Sequence, residues 1–475
     1  MKRIFCFAVV LVGSLPAVWA EDQPLAMFGG GPSRNMVSSE TGLPTEWDVA
    51  SGKNIKWKQK VGSQTYAGPV LFDGRLFVGT NNESELQPGI KGDKGVVMAF
   101  RASDGKFLWQ ATHDKLPAGR VNDWPMQGVC STPAVEGDRV YYVSNRAEVV
   151  ALDLGGLADG ENQGWTGEQY KSELDADIIW AYDMIGELDV FPHNLAAGSP
   201  LIVGDLIFVT TGNGVDEGHV NVPSPLGPSF VAIDKNTGEL AWESALPGEN
   251  ILHGTWSNAS SGVAGGREQV VIPGGDGWLY SFAPKTGEVI WKFDANPKDS
   301  MWELGGSGTR NNIISTPVFF EGKVYVGMGQ DPEHGEGPGH FYAIDASQTG
   351  DVTESAVLWH FGGDDFSRTI STAAIDDGLI YISDLSGFLY CLEQETGKHL
   401  WTYDTFAAVW DSAFVADGKV YIGDEDGDIA VLAAGREKKL ITENNMGSAV
   451  YTTPIAKDGV IYVATRSELF AIGEE

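Results

Sequence analysis

Short apolar runs separated by turn residues recur along almost the whole chain. One recurring phrase is a strand, a tight glycine-containing turn and a second strand, as in PVLFDGRLFVG, PAVEGDRVYYV, PLIVGDLIFVT, PVFFEGKVYVG, AAIDDGLIYIS, AFVADGKVYIG and PIAKDGVIYVA. Alternation of apolar and polar positions with a period of two predicts β-strands, and the glycine favours the turn between them. The pattern therefore predicts an all-β chain built from hairpins.

A second phrase also recurs: MAFRASDGKFLW, VAIDKNTGELAW, LYSFAPKTGEVIW and YCLEQETGKHLW. In each copy a small residue is followed by Gly six residues later and by Trp ten residues later, with the small residue being Ala99, Ala232, Ser281 or Cys391. The Gly supplies a turn with positive φ between two antiparallel strands. Together the two phrases predict units of four strands, A to D.

Counting the residue that marks strand D gives the number of units. The markers are Trp57, Trp109, Trp180, Trp242, Trp291, Trp359, Trp401 and Leu440. Trp57 precedes the first hairpin, and the last unit stops after its strand C, so NIKWKQKV is predicted to supply the missing strand D. That pairing closes a ring without exposed edges. The predicted fold is an eight-bladed β-propeller of four-stranded antiparallel blades in residues 54–475, after a signal peptide (1–20) and a lead-in segment (21–53).

The repeat small-x5-Gly-x3-Trp resembles the tryptophan-docking repeat of PQQ-like β-propellers. That family includes quinoprotein alcohol dehydrogenases, the propeller lipoprotein of the outer-membrane β-barrel assembly machinery and secreted relatives. The resemblance covers roughly Asn54 to the C-terminus. It implies that the Trp of one blade packs against the Gly turn of its neighbour, which is a structural role.

Net charge narrows the choice of partners. The 475 residues include 32 basic and 65 acidic side chains, for a formal charge of −33. Such a surface repels phosphate backbones and anionic lipid headgroups, so neither nucleic acid nor a bare membrane surface is an expected partner. A basic or neutral ligand, a cation or a basic protein patch fits better.

The N-terminus MKRIFCFAVVLVGSLPAVWA has the basic start, apolar run and small-residue end of a secretory signal peptide, cleaved near Ala20. No later stretch reaches the ~18 apolar residues that a membrane span needs. We expect an exported monomer without a membrane span, either periplasmic or secreted. Cys130 and Cys391 remain after cleavage, too few for a disulfide framework.

One face of the predicted ring carries the irregular sequence. The B–C hairpins of blades 1, 3 and 5 hold the long insertions NNESELQPGIKGDKG, GNGVDEGHVNVPSPLGP and GQDPEHGEGPGH, and the long D–A connections lie on the same face. Long loops on a rigid scaffold are where binding usually occurs. Strand A begins there beside the central channel, and the predicted ligand- or partner-binding residues are Trp124, Gln127, His193, Asn194, His253, Trp256, Arg310, Asn311, Arg368, Trp410 and Asp411.

The resemblance implies an alternative, a dehydrogenase of alcohols or sugars that uses PQQ and Ca²⁺. TTGNG at 210–214 resembles the family's Gly-Asn turn, which implies that Asn213 helps to ligate Ca²⁺. Where the dehydrogenases carry an Asp-Tyr-Asp segment with the catalytic base, this chain has Leu252-His253-Gly254. Oxidation of an alcohol needs a base, so we predict no catalytic residue.

Two of the long loops are crowded with metal-ligating side chains. Asp331, Glu333, His334, Glu336 and His340 share one loop, and Asp216, Glu217 and His219 share the corresponding loop of blade 3. Carboxylates suit Ca²⁺, and histidines suit Zn²⁺ or Cu²⁺. The candidate metal ligands are Asn213, Asp331, Glu333, His334 and His340, although no HExxH, EF-hand or CxxC spacing is present.

We therefore expect a non-catalytic propeller that binds an envelope protein or a small polar ligand through its loop-rich face. The alternative function is the quinoprotein dehydrogenase, with PQQ and Ca²⁺ implied by resemblance alone.

Overall fold

The computed structural model describes residues 25–474, which form eight four-stranded antiparallel sheets, the blades of one propeller. Strands A to D of the first four blades are as follows: Val70–Phe72, Arg75–Asn81, Lys94–Arg101 and Phe107–Asp114; Ala134–Glu136, Arg139–Val143, Glu148–Asp153 and Ile178–Asp183; Leu201–Val203, Leu206–Thr210, Phe230–Asp234 and Leu240–Ser244; Ser260–Ala264, Arg267–Pro273, Trp278–Phe282 and Val289–Asp294. The predicted all-β, eight-bladed fold is confirmed.

The remaining blades follow the same plan. Their strands are Val318–Phe320, Lys323–Met328, Pro338–Asp345 and Val357–Ser367; Ala374–Asp376, Leu379–Ser383, Phe388–Glu393 and His399–Asp404; Phe414–Ala416, Lys419–Gly423, Asp428–Ala433 and Leu440–Asn445; Ile455–Lys457, Val460–Ala464, Glu468–Ile472 and, as strand D of blade 8, Ile55–Lys60. Three two-residue strands, Leu25–Ala26, Val37–Ser38 and Gly350–Asp351, add to the edges of blades 2, 7 and 4.

Helical structure is confined to short turns. The α-helix Met184–Leu188 begins after Asp183, whose side chain accepts hydrogen bonds from the backbone of Ile185 and Gly186. The 3-10 turns are Phe28–Gly30, Gly119–Val121, Gly156–Asp159, Gly248–Asn250 and Leu304–Gly306. Within residues 25–474, no helix is both long and apolar enough to cross a membrane. The predicted signal peptide, residues 1–20, lies outside the described residues.

The repeated phrase is explained by the pairing of strands C and D. The small residue lies directly opposite the Trp, as Ala99 does opposite Trp109 and Cys391 opposite Trp401, and the register shifts immediately after it. A small side chain leaves room for the indole, which crosses to the next blade. Trp180, for example, donates from Nε1 to the carbonyl of Lys235 and lies against Gly238, where an added Cβ would be 2.6 Å from the ring.

The N-terminal strand closes the ring as predicted, with Trp57 opposite Ala471. The lead-in before it takes a path that the sequence does not indicate. Leu25–Ala26 pairs with strand A of blade 2, and Val37–Ser38 pairs with strand A of blade 7. Between them the backbone carbonyls of Pro32 and Ser33 accept hydrogen bonds from Ser261 and Phe319 of blades 4 and 5. Residues 25–39 therefore lie across the channel at the end where the A–B turns are, opposite the loop-rich face. We call them the plug.

Candidate functional site

The plug turns the central channel into a cavity of about 680 Å³, the central cup. Its floor includes Met27 to Gly30 and Met36 to Ser39, and its walls rise to the D–A connections on the loop-rich face. The polar and aromatic residues of the wall that concern function are Tyr66, Gln127, Asn194, Trp256, Asp331, Glu333, Trp410, Asp411 and Tyr451. Several residues that the sequence predicts at the mouth of the channel thus line one cavity.

One side of the cup is an aromatic wall. The rings of Tyr66 and Tyr451 stack at 5.1 Å, and Trp410 meets Tyr451 edge-on at 6.2 Å. The indole Nε1 of Trp410 and Oδ1 of Asp411 are buried without a hydrogen-bond partner. Burial raises the pKa of Asp411 well above its usual range. Unpaired buried polar atoms are costly in a protein interior, so this wall is suited to a polar ligand.

The cup's thiol does not provide a nucleophile. Cys130 lines the cavity and is a free cysteine, as is the buried Cys391 of blade 6. Burial raises the pKa of Cys130 to about 12. Because the thiolate is the nucleophilic form, a thiol with so high a pKa is inert at neutral pH.

Beside the cup, four loops bring together the side chains that we call the histidine cluster: His193, His219, His253, Asp331, Glu333 and His334. His193 and His253 come from the connections that precede blades 3 and 4. His219 lies in the B–C loop of blade 3, and the other three lie in the B–C loop of blade 5. The B–C turn of blade 4 is only four residues, Gly274 to Gly277. Loops from the two flanking blades can therefore meet above it.

His253 is at the centre of the cluster and is fully buried. Its Nδ1 lies 3.0 Å from Oδ2 of Asp331 and 3.3 Å from Nε2 of His334. Its Nε2 lies 2.9 Å from Nε2 of His193 and 3.6 Å from Oε2 of Glu333. The ring of His219 completes the group, 4.6 Å from that of His253 between centroids. These are the described residues that could hold a metal ion.

Burial sets the electrostatics of the cluster. It lowers the pKa of His193 to about 4, with a further contribution from the charge of His253, so His193 is neutral at pH 7. Burial likewise lowers the pKa of His219 and of His334. Burial alone would raise the pKa of Asp331, but its hydrogen bond to His253 and the histidine charges outweigh that effect and hold it below the ordinary value.

Other predicted residues hold the loops of the cluster in place. Asn213 is buried and donates to the carbonyls of Ser224 and Gly227, while its Oδ1 accepts from the backbone of Phe191. It therefore ties the blade 3 loop to the connection before it. Arg368 donates to the backbone carbonyls of Asp331 and Gly335 and so braces the blade 5 loop.

Besides Asn213 and Arg368, four predicted residues lie outside both the cup lining and the cluster. Arg310 forms an ion pair with Asp294 at 2.7 Å. Trp124 stacks under the Arg120 guanidinium at 3.9 Å, and the backbone carbonyl of Asn311 accepts a hydrogen bond from Nδ2 of Asn296. His340, predicted in the blade 5 loop, lies in strand C because that strand begins at Pro338. There its Nδ1 is 2.9 Å from Nε2 of His360.

The quinone cofactor implied by the resemblance does not fit these residues. PQQ carries three carboxylates, whereas the charged side chains that line the cup, within residues 25–474, are Asp331, Glu333 and Asp411, with no lysine or arginine. A polyanion in such a cavity would be repelled. Asn213 is fully engaged with backbone groups, and His253 stands where the family's base would be.

Comparison with known proteins agrees with the propeller fold. The BamB structure from Moraxella catarrhalis is 13% identical, with 89% of this chain and 97% of that chain covered and a TM-score of 0.54. A europium-containing methanol dehydrogenase is 14% identical over 94% and 97% of the two chains, with a TM-score of 0.60. Quinohemoprotein alcohol dehydrogenase ADHIIG from Pseudomonas putida HK5 is 14% identical over 94% and 79%, also with a TM-score of 0.60. At sequence identities this low, the structural similarity is evidence for a shared fold alone.

No curated protein matches the chain in sequence. The family model described as "Outer membrane protein assembly factor BamB" does match it, over residues 86–220, 176–360 and 342–473. Because these overlapping stretches cover most of the propeller, the chain belongs to the family of PQQ-like, BamB-type β-propellers.

Proposed function

We propose that this protein is an exported, periplasmic or secreted, binding propeller that takes a small polar ligand, neutral or positively charged, into the central cup. The observation that carries the proposal is the combination of a channel closed by the plug with a wall on which Trp410 Nε1 and Asp411 Oδ1 are buried and unpaired. A blind cavity with a few converging polar groups is the usual form of a small-molecule site.

Charge and shape define the ligand class. Acidic side chains and the absence of lysine and arginine in the described lining disfavour anions. The faces of Tyr66, Trp410 and Tyr451 attract cations and cover flat or weakly polar surfaces. The carboxyl group of Asp411 provides hydrogen-bonding oxygen atoms at this wall, and burial raises its pKa well above the usual range. A sugar-like or quaternary-ammonium compound satisfies all three features.

Isothermal titration with a monosaccharide, a disaccharide, choline and citrate tests the proposal. We expect a neutral or cationic compound to bind and citrate not to bind. Trp410→Ala should weaken binding at least ~10-fold, since aromatic contacts to a ligand are worth about 1–3 kcal/mol. Phe406→Ala is the matched control, because Phe406 is 86% exposed and outside the cup. Equal binding by Trp410→Ala and wild type, or tight binding of citrate, would reject the proposal.

A protein partner is the second candidate, favoured by exposed apolar side chains on the same face. Val220 and Leu226 in the blade 3 loop are 67% and 88% exposed, and Met301 in the connection before blade 5 is 59% exposed. Exposed apolar residues close together often mark protein contacts. Capture of a partner from envelope extract by wild type but not by Leu226→Ser with Met301→Ser would support it. Undiminished capture by the double variant would place the contact elsewhere.

A further inference from the structure

We propose that His193, His219, His253 and Glu333 bind one divalent transition-metal ion, for which zinc is the best match. These four side chains each offer a ligand atom, and all four atoms lie within 4.8 Å of one another. Ligand atoms around a tetrahedral zinc lie roughly 3.3 Å apart, given bonds of about 2.0–2.1 Å. Small side-chain rotations therefore suffice to form the site.

Hydrogen bonds fix which nitrogen each buried histidine presents. Nδ1 of His193 lies 2.8 Å from the carbonyl oxygen of Val215, which can only accept, so Nδ1 carries the proton. Nδ1 of His253 faces the carboxylate of Asp331 at 3.0 Å and carries a proton for the same reason. In these tautomers both Nε2 atoms present lone pairs to each other across 2.9 Å. A cation beside them removes that repulsion, and His219 and Glu333 supply further ligands on the same side.

The surroundings of these ligands also match a metal site. Histidines that bind metals usually donate their other N–H to a carboxylate or a backbone carbonyl, which orients the ring. His253 does the first through Asp331, and His193 does the second through Val215. The carboxylate of Glu333 in turn accepts a hydrogen bond from Asn194 at 3.2 Å. His253 can give only one nitrogen to an ion, so Asp331 and His334, on its Nδ1 side, are assigned to orientation.

The ligand set selects the metal. Three imidazoles and one carboxylate suit zinc, cobalt, nickel or copper, whereas Ca²⁺ and Mg²⁺ take oxygen ligands. Four protein ligands match the tetrahedral preference of zinc. Glu333 and Asn194 also line the central cup, so the metal would form part of its wall. Metal binding is titrated without the proposed ligand, so the absence of either ligand or metal binding leaves the other to be measured independently.

The test uses the mature exported chain, freed of metal with a chelator and titrated with Zn²⁺, Co²⁺ and Ca²⁺. We expect one equivalent of Zn²⁺ to bind, Co²⁺ to give the absorption bands of a tetrahedral site, and Ca²⁺ not to compete. His219→Gln and Glu333→Gln, both at the accessible side of the cluster, should each weaken Zn²⁺ binding at least ~10-fold. Asp331→Asn, a positioning variant, should weaken it ~10–100-fold.

Two control variants replace histidines outside the cluster. His399→Gln removes an exposed histidine on blade 6 and should leave Zn²⁺ affinity unchanged. His340→Gln breaks the separate His340–His360 pair and should also leave it unchanged. Loss of the bound equivalent in His340→Gln, its retention in His219→Gln and Glu333→Gln, or an absence of stoichiometric Zn²⁺ in a wild-type chain with a normal thermal melt would each overturn the proposal.

Discussion

The guanidinium of Arg34 donates from Nε to the carbonyl oxygen of Ala259 at 2.8 Å, although the two residues are 225 positions apart. Its other nitrogens reach the carbonyls of Phe28, Ser199 and Pro200. Arg34 is fully buried, and burial lowers its pKa to about 9, still high enough for a charged side chain at neutral pH. One side chain thus fastens the plug to blades 3 and 4.

Replacing that side chain should destabilise the propeller. Arg34→Met leaves buried carbonyl oxygens without a donor, and we expect the free energy of unfolding to fall by ~2–4 kcal/mol. Urea unfolding followed by tryptophan fluorescence measures the change. Arg267→Met is the control, because Arg267 donates to backbone carbonyls at an exposed site, and it should cost less than ~1 kcal/mol. Similar losses in both variants would show that the plug is not held by Arg34.

The contribution of Trp–Gly docking to stability can be measured separately from the effect of backbone strain. Gly238 and Gly204 both have positive φ, 73° and 58°, but a Cβ at Gly238 would meet Trp180 whereas one at Gly204 would meet nothing within 4 Å. The positive φ destabilises both alanine variants by ~1 kcal/mol. Gly238→Ala should cost a further ~1–3 kcal/mol because of the clash. Thermal melts of the two variants provide the comparison, and equal losses would contradict the docking role.

The His340–His360 pair should make stability fall in acid. Burial, aided by the charge of His360, lowers the pKa of His340 from 6.5 to about 4. Between these values the unfolded chain binds more protons, so the stabilisation is complete above pH 6.5 and is lost as the pH falls toward 4. His340→Gln should flatten the pH dependence of unfolding between pH 7 and 5 by up to ~1.4 kcal/mol per pH unit. An unchanged slope, equal to that of His399→Gln, would contradict this.

A glycine supports the histidine cluster from outside. Gly305 has φ of 77°, and a Cβ there would lie 2.6 Å from Cβ of His219. Gly305→Ala should therefore displace the ring and weaken Zn²⁺ binding ~10-fold or more. Gly266→Ala is the control, since Gly266 has φ of 72° and open space around it. Isothermal titration of both variants measures the effect, and equal affinities would show that Gly305 does not position His219.

Reconstitution with PQQ and Ca²⁺ should give no bound quinone. The acidic lining of the cup repels three carboxylates, and the side chain of Asn213 is engaged with three backbone groups. Absorbance of the desalted protein measures incorporation. A stoichiometric quinone spectrum together with dye-linked oxidation of an alcohol would restore the dehydrogenase alternative.

The blades could be predicted from sequence because the information that specifies them is local. The small residue, the Gly and the Trp of each repeat lie within ten positions, and their cross-strand contact follows from two-residue periodicity. Strand direction also predicts which face carries the long loops. The paths of those loops could not be predicted, since no repeat constrains them. His219 and His340 both fall in long B–C insertions of the sequence. In the structure, however, His219 packs against His253, whereas His340 lies in strand C beside His360.

The path of the plug could not be predicted from the sequence for a different reason. Its backbone bonds to strands of four blades, 2, 4, 5 and 7, that are far apart along the chain, and no periodic pattern in residues 25–39 reveals such contacts. Arg34 is the one unusual residue of this segment, since no acidic residue lies near it in sequence. Its burial and its hydrogen bonds to carbonyls are recognisable only once the ring is formed.

The pairing of Trp57 with Ala471 also bears on biosynthesis. The first strand of the propeller, Ile55–Lys60, leaves the ribosome long before its partner, so it stays unpaired until residues 468–472 have been synthesised. A truncated chain that lacks residues 468–472 would keep two open strand edges, which are templates for aggregation. The strand Glu468–Ile472 therefore covers both edges at once, by pairing with Val460–Ala464 on one side and Ile55–Lys60 on the other.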